Sequence, residues 1–171
     1  MKLTKVERLL LANQYQILSK LDPEDASHDM LREALENGYE AAYQDVLSLR
    51  ILDGLSVDEC RFVQEAMDLY WTLQLSYEEL EAKAEIEESR TEFTGFDDNH
   101  ETPYMAYARY LVEKERRFPS LKLSRDPFNS HTPMLEHYRR QIDLWKLMDQ
   151  KRILTLEDMA TILEVRGGPD R

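Results

Sequence analysis

Glycine is scarce in this chain, five in 171 residues, and the scarcity removes whole classes of chemistry. A phosphate cradle needs clustered glycines so that backbone amides can approach the anion, and neither G-x-x-x-x-G-K-[ST] nor G-x-G-x-x-G occurs. There is no G-x-S-x-G elbow to present a serine nucleophile. Cysteine occurs once, at Cys60. A single thiol forms no internal disulfide and no C-x-x-C pair, and Cys60 reads as a small buried apolar residue in a reducing compartment. Long apolar runs are missing as well. Leu9-Leu10-Leu11-Ala12 is among the longest, far short of the roughly 20 residues of a membrane span. The opening M-K-L-T-K-V-E turns acidic at once and has no signal-peptide core, so the expected address is cytoplasmic and no membrane partner is implied.

Positive charge is the other shortage. Lys and Arg number 22 against 34 Asp and Glu, a net charge of −12. Non-specific nucleic-acid binding comes mainly from phosphate neutralisation, so that balance disfavours a nucleic-acid partner. The charge is unevenly spread. Residues 76–101 hold ten carboxylates against Lys83 and Arg90, whereas residues 109–152 hold eleven basic groups against six acidic ones. An acidic element facing a basic one suits self-complementary association, so a homo-oligomer is expected, most simply a dimer. The contact is expected at residues 76–89 or in the loop at 119–132, and an unidentified protein partner is expected besides.

What the chain does have is helix punctuation. Four [ST]-x-x-[DE] pairs precede periodic apolar runs: Thr4 with Glu7, Ser56 with Glu59, Ser76 with Glu79, and Thr155 with Asp158. In each, the hydroxyl accepts from the N3 amide and the carboxylate reaches back to the N-cap amide. The spacing predicts helices over residues 5–20, from Pro23 (capped by Asp22) to Asn37-Gly38, over 40–49, and over 57–75. A turn is expected at Asp53-Gly54. An acidic helix over 77–89, with Leu80, Ala84 and Ile86 as its stripe, comes next; then helices over 102–118, from Thr132-Pro133 onward, and over 156–165. Nothing alternates with period two, so no strand is expected. The fold class is all-α: one domain over residues 1–171, a bundle of six to eight helices with a flexible tail at 166–171. Leu9, Phe62, Val63, Met67, Trp71, Tyr107, Leu111, Leu135 and Ile142 are the expected core.

Candidate sites have to be weighed against ordinary structural roles. Asp97-Asp98-Asn99-His100-Glu101 packs metal-ligand types together, but adjacent residues seldom aim at one ion, and acids before Pro103 suit a helix N-terminus. No metal and no cofactor is implied. Tyr104, Tyr107, Tyr110, Tyr138 and Trp145 could stack bases, yet aromatics at helical spacing belong first to a core. His28 and His137 read as solvated. Arg125 and His131 resemble the R-x(4–6)-H motif of the HEPN ribonucleases, in which His131 would be general base or acid and Arg125 would hold the phosphate. Pro127 breaks the helix on which that motif sits, and a capping connector explains the same residues.

The segments R-T-E-F-T-G-F-D (90–97), Y-M-A-Y-A-R-Y-L-V (104–112), F-N-S-H-T-P-M (128–134) and W-K (145–146), with N-Q-Y (13–15) and L-D-P (21–23), are similar to the YfbU family of small bacterial proteins. The resemblance runs from about Arg8 to Leu163. Its signature would comprise Arg90, Phe93, Gly95, Phe96, Asp97, Tyr104, Tyr107, Arg109, Phe128, Asn129, Thr132, Pro133, Met134 and Trp145. The resemblance itself brings no reaction; because no set of residues converges on a nucleophile with its base or on a metal with its ligands, a non-enzymatic interaction or regulatory module is expected. Gly95 would allow a tight turn, and Asp97 would cap amides or pair with an arginine.

Overall fold

The computed structural model describes residues 2–44, 54–81 and 86–164. The protein is all-α; among the described residues there are helices, one 3-10 turn and two isolated backbone bridges, with no sheet. Two compact units divide the chain, Met1–Asp53 and Gly54–Arg171. No described helix is long and apolar enough to cross a membrane.

The first unit is built on α1 (Lys5–Leu21) and α2 (Ser27–Asn37). Thr4 and Glu7 form the expected capping box. Ala12 is buried with Leu35 and Tyr43, with Leu11 and Tyr15 packed against them, because the small Ala12 side chain admits close approach of α2. Leu9 lies at the edge of that contact, beside Ala12 and Leu35, and is 61% exposed, so its expected place in the core is corrected. The start of α2 is corrected too: Asp22-Pro23 forms a turn, and the helix begins four residues after Pro23 with no side-chain cap at Ala26. Asp25 Oδ1 accepts from the Ser27 amide (2.9 Å), which makes the local turn the competing solution. Gly38 ends α2 at φ 76, and Arg8 Nη1 donates to the Leu35 carbonyl beside it (3.0 Å). Residues 40–44 are helical. The rest of the helix expected over 40–49, Asp53 of the expected turn, and the tail at 166–171 lie outside the described residues.

The second unit is organised around α3 (Val57–Glu79), a 23-residue helix with Val63, Ala66, Met67, Leu69 and Leu73 fully enclosed. Ser56 and Glu59 box its start. The helix does not stop at residue 75, and Ser76 caps nothing: its hydroxyl donates to the Thr72 carbonyl (2.7 Å) and accepts from the Leu154 amide (2.9 Å). The separate acidic helix over 77–89 is therefore not formed. Residues 77–79 belong to α3, residues 80, 81, 86 and 87 are non-helical, and Glu88–Thr91 is a 3-10 turn; Ala84 lies outside the described residues.

Beyond that turn come α4 (Thr102–Glu113), α5 (Leu135–Leu147) and α6 (Leu156–Leu163), the last boxed by Thr155 and Asp158. Helix α4 ends before the expected residue 118, and Phe118 takes φ 56. Val63, Met67, Leu111 and Ile142 are buried as expected, and Phe62, Trp71, Tyr107 and Leu135 pack partly buried against them.

Candidate functional site

Residues 90–134 hold two irregular segments that grip each other. Phe93 N donates to the Lys122 carbonyl (3.0 Å) and Ser124 N to the Phe93 carbonyl (3.1 Å). Three residues on, Phe96 N donates to the Phe128 carbonyl (2.9 Å) and Ser130 N to that of Phe96 (3.2 Å). Gly95 sits between the two bridges at φ 84, where an added Cβ would lie 2.0 Å from the Phe128 carbonyl oxygen. Only glycine fits both the backbone and the space. Phe128 is itself left-handed (φ 71) yet buried, and Arg109 lies 5.8 Å from its ring centre.

The grip is packed from below by aromatic rings. Phe93 stacks on Tyr138 (5.6 Å), and Phe96 and Tyr70 meet Tyr138 edge-on at 5.3 and 5.5 Å. Such edge-to-face and offset pairs add to area burial. The Tyr138 phenol donates to the Gly95 carbonyl (2.9 Å) and pairs with Thr94 Oγ1 at 3.0 Å. Burial pushes the Tyr138 phenol well above its ordinary pKa, and burial likewise takes Tyr70 up to about 12, so both remain neutral. Gln74 ties the segments to α3, donating to the Thr91 and Lys122 carbonyls (2.8 and 2.9 Å) and accepting from Lys122 N (2.8 Å).

The acidic run does not cap α4 as expected, since the start of that helix has no side-chain cap; it forms a local turn and a cap for α5 instead. Asp97 Oδ2 meets His100 Nδ1, a contact that holds the Asp97 carboxyl below the usual carboxylate range, helped by Asn99. Glu101, 3% exposed, accepts from the amides of Asp97 (3.1 Å), Met134 (2.8 Å) and Leu135 (2.9 Å). A buried carboxylate that receives several backbone amides at a helix N-terminus is well satisfied. Glu101 thus does for α5 what no residue adjacent to α5 does, and sequence spacing gave no signal for a cap 33 residues away.

The remaining signature positions serve the same frame. Arg90 Nη2 donates to the Leu163 carbonyl (2.6 Å), and Tyr104 Oη to Glu59 Oε1 (2.7 Å). Glu59 is lowered to about 2 by its bonds from Ser56 and then Tyr104. The Tyr107 hydroxyl accepts from Gln64 Nε2 (2.7 Å), and Asn129 Oδ1 accepts from His131 N (3.1 Å). Thr132 and Pro133 are exposed in the approach to α5, whose N-cap is Met134. Trp145 is buried, its Nε1 donating to the Lys151 carbonyl (3.0 Å).

Arg125 and His131 lie on this irregular loop rather than on a helix. The His131 ring pairs with Asp126 at 2.6 Å, and its backbone is left-handed at φ 57. Nothing in this geometry supports the ribonuclease alternative. In the first unit, His28 is 9% exposed rather than solvated, packed against Tyr15 with Asp22 and Asp25 nearby.

Two surface features stand outside the grip. One is the outer face of α1. The other is a hollow of about 530 Å³ on the second unit, lined by Asp68, Trp71, Thr72, Leu75, Trp145, Gln150 and Arg152.

A family profile described as the YfbU domain matches residues 1–165. The chain is also 37% identical over 167 residues to the UPF0304 protein MJECS11 of Methanocaldococcus jannaschii, a match covering 94% of this chain and 98% of that one. That source takes the family beyond the bacteria expected from the resemblance.

Proposed function

The chain belongs to the YfbU family, and from that premise we propose that it works by binding, as a cytoplasmic interaction module that pairs with a second copy of itself through the outer face of α1. The observation that carries this reading is the exposure of Val6, Leu9, Leu10, Ile17 and Leu21 at 67, 61, 59, 58 and 76%. A contiguous apolar face of this size on a soluble chain marks a contact surface. No charged residue occurs from Leu9 to Ser19. In a molecule of net charge −12, a second copy approaches best where neither surface carries charge. The same face on both partners gives a closed, two-fold contact, with Asn13 in the seam to fix its register. The apolar face of α1 is preferred here to the contact expected at residues 76–89 or 119–132, because the separate acidic helix that suggested the first of these does not form.

The placement of the reactive side chains favours binding over catalysis. Asp97 and Glu101 accept from backbone amides and the His131 ring pairs with Asp126, so these polar groups are engaged in holding the frame. Sedimentation equilibrium at concentrations on the order of tens of micromolar tests the pairing. The expected result is a dimer, reduced to a folded monomer by Leu10→Asp with Ile17→Asp. A strictly monomeric wild type overturns it. RNA incubated with the protein in chelator should stay intact; cleavage abolished by His131→Ala but not by His137→Ala overturns the non-catalytic reading.

A further inference from the structure

We propose that the hollow between Trp71 and Trp145 binds a free amino acid with an apolar side chain, Asp68 receiving its ammonium and Arg152 its carboxylate. The site lies wholly within the second unit and does not depend on self-association. α3 supplies Asp68, Trp71, Thr72 and Leu75, a spacing that places all four on one helix face, and the end of α5 with its following turn supplies Trp145, Gln150 and Arg152. The volume of about 530 Å³ lies in the ordinary range for small-molecule pockets.

Charge selects the ligand. Asp68 is half-buried, and among the described residues it has no hydrogen bond or ion pair; burial raises its pKa, the Arg117 charge opposes the rise and the Glu65 charge adds to it. A carboxylate left this way lacks the donors that ordinarily offset desolvation. Arg152 is exposed and also has no partner among the described residues, and the two do not pair with each other across the hollow. Their neighbours are already engaged, Lys146 with Glu65 (2.8 Å) and Lys151 with Asp158 (3.0 Å). A simple cation would satisfy Asp68 and face Arg152; a simple anion would do the reverse. A zwitterion satisfies both.

The frame is held ready. Both indole N–H groups are engaged, Trp71 with Ser120 Oγ (3.1 Å) and Trp145 with the Lys151 carbonyl (3.0 Å). What the rings and Leu75 offer the hollow is therefore carbon surface, which suits an apolar side chain. Asp149 and Gln150 are both left-handed, at φ 56 and 47, a costly pair for residues with side chains. Gln150 N donates to the Trp145 carbonyl (3.0 Å), so the turn that carries Gln150 and Arg152 is fixed against the Trp145 wall. Strain held by surrounding bonds is characteristic of binding sites.

The chain has two tryptophans and both line the hollow, so its intrinsic tryptophan fluorescence reports on this site. The full-length protein is titrated with L-phenylalanine and L-leucine, then with N-acetyl-phenylalanine and phenylalanine amide. The expected result is a saturable change with a dissociation constant of about 1 mM or tighter for the free amino acids. Each blocked form should bind weaker by about tenfold or more, as loss of one charge-assisted contact implies. Asp68→Asn should weaken phenylalanine but leave N-acetyl-phenylalanine unchanged, and Arg152→Gln should weaken phenylalanine but leave the amide unchanged. Circular dichroism of both variants should match wild type, since neither residue holds the fold. No saturable change with either free amino acid, equal affinity for blocked and free forms, or a loss in the variants that ignores which end is blocked overturns the proposal.

Discussion

Replacing Gly95 by alanine should be among the most damaging single-methyl changes this protein can suffer. The backbone there stands at φ 84, and forcing a residue with a Cβ into that region costs about 1–2 kcal/mol. The new methyl would meet Phe128 O, C and Cα at 2.0, 2.1 and 2.3 Å, all backbone atoms, so no side chain can swing aside. The Phe128 segment has to retreat by more than an ångström. Retreat breaks the Phe96-to-Phe128 and Ser130-to-Phe96 backbone bonds, at about 1 kcal/mol each, and loosens the Tyr138 contact beneath them. The sum is about 3–5 kcal/mol, at the severe end for point mutants. Urea unfolding followed by near-ultraviolet circular dichroism measures it, with Gly54→Ala as the control. A Cβ at Gly54 meets nothing within 4 Å, so that change should stay within about 0.5 kcal/mol of wild type. A Gly95→Ala protein that loses less than about 1 kcal/mol, with its aromatic signal unchanged, refutes the close-approach argument.

Glu101→Ala should destabilise by about 2–4 kcal/mol, because it strands the Met134 and Leu135 amides at the start of α5; chemical unfolding checks this, and a neutral result would mean that water replaces the carboxylate at no cost. Glu59, held near pKa 2 in the folded protein against an ordinary 4.5, contributes stability that is fully present above about pH 4.5 and is lost as the pH falls toward 2. Urea midpoints from pH 6 to pH 2 should therefore fall more steeply for wild type than for Glu59→Gln, and parallel curves would contradict the assignment.

Much of this fold was legible because helices announce themselves locally. Three of the four hydroxyl–carboxylate pairs form true capping boxes, at Thr4, Ser56 and Thr155. Ser76 fails because a buried loop amide, that of Leu154, competes for its hydroxyl, and that partner is 78 residues away. The same limit hid the cap from Glu101 to α5. Leu9 was misplaced because periodicity finds an apolar face without saying which neighbour covers it, and α1 has apolar residues on two sides. Phe93, Gly95 and Phe96 stood out as unusual residue types, but the partners that explain them are single backbone pairings, too short to leave an alternating pattern. Asp68 and Arg152 carried no signal at all: each is an ordinary charged residue on a helix or turn, distinguished only by what it fails to touch.

The polar ties of α3 also set a timetable. Gln74 reaches Lys122 across 48 positions, Tyr70 reaches Gln141 across 71, and Ser76 reaches Leu154 across 78. Helices of this length form within about a microsecond, but contacts so distant in sequence must wait for large loops to close. The second unit therefore folds with the slow step of a much less local protein, its helices present early and its irregular segments locked last. Amides such as Phe96 and Ser130, held by single backbone pairings rather than by a helix ladder, should exchange with solvent before those in the middle of α3.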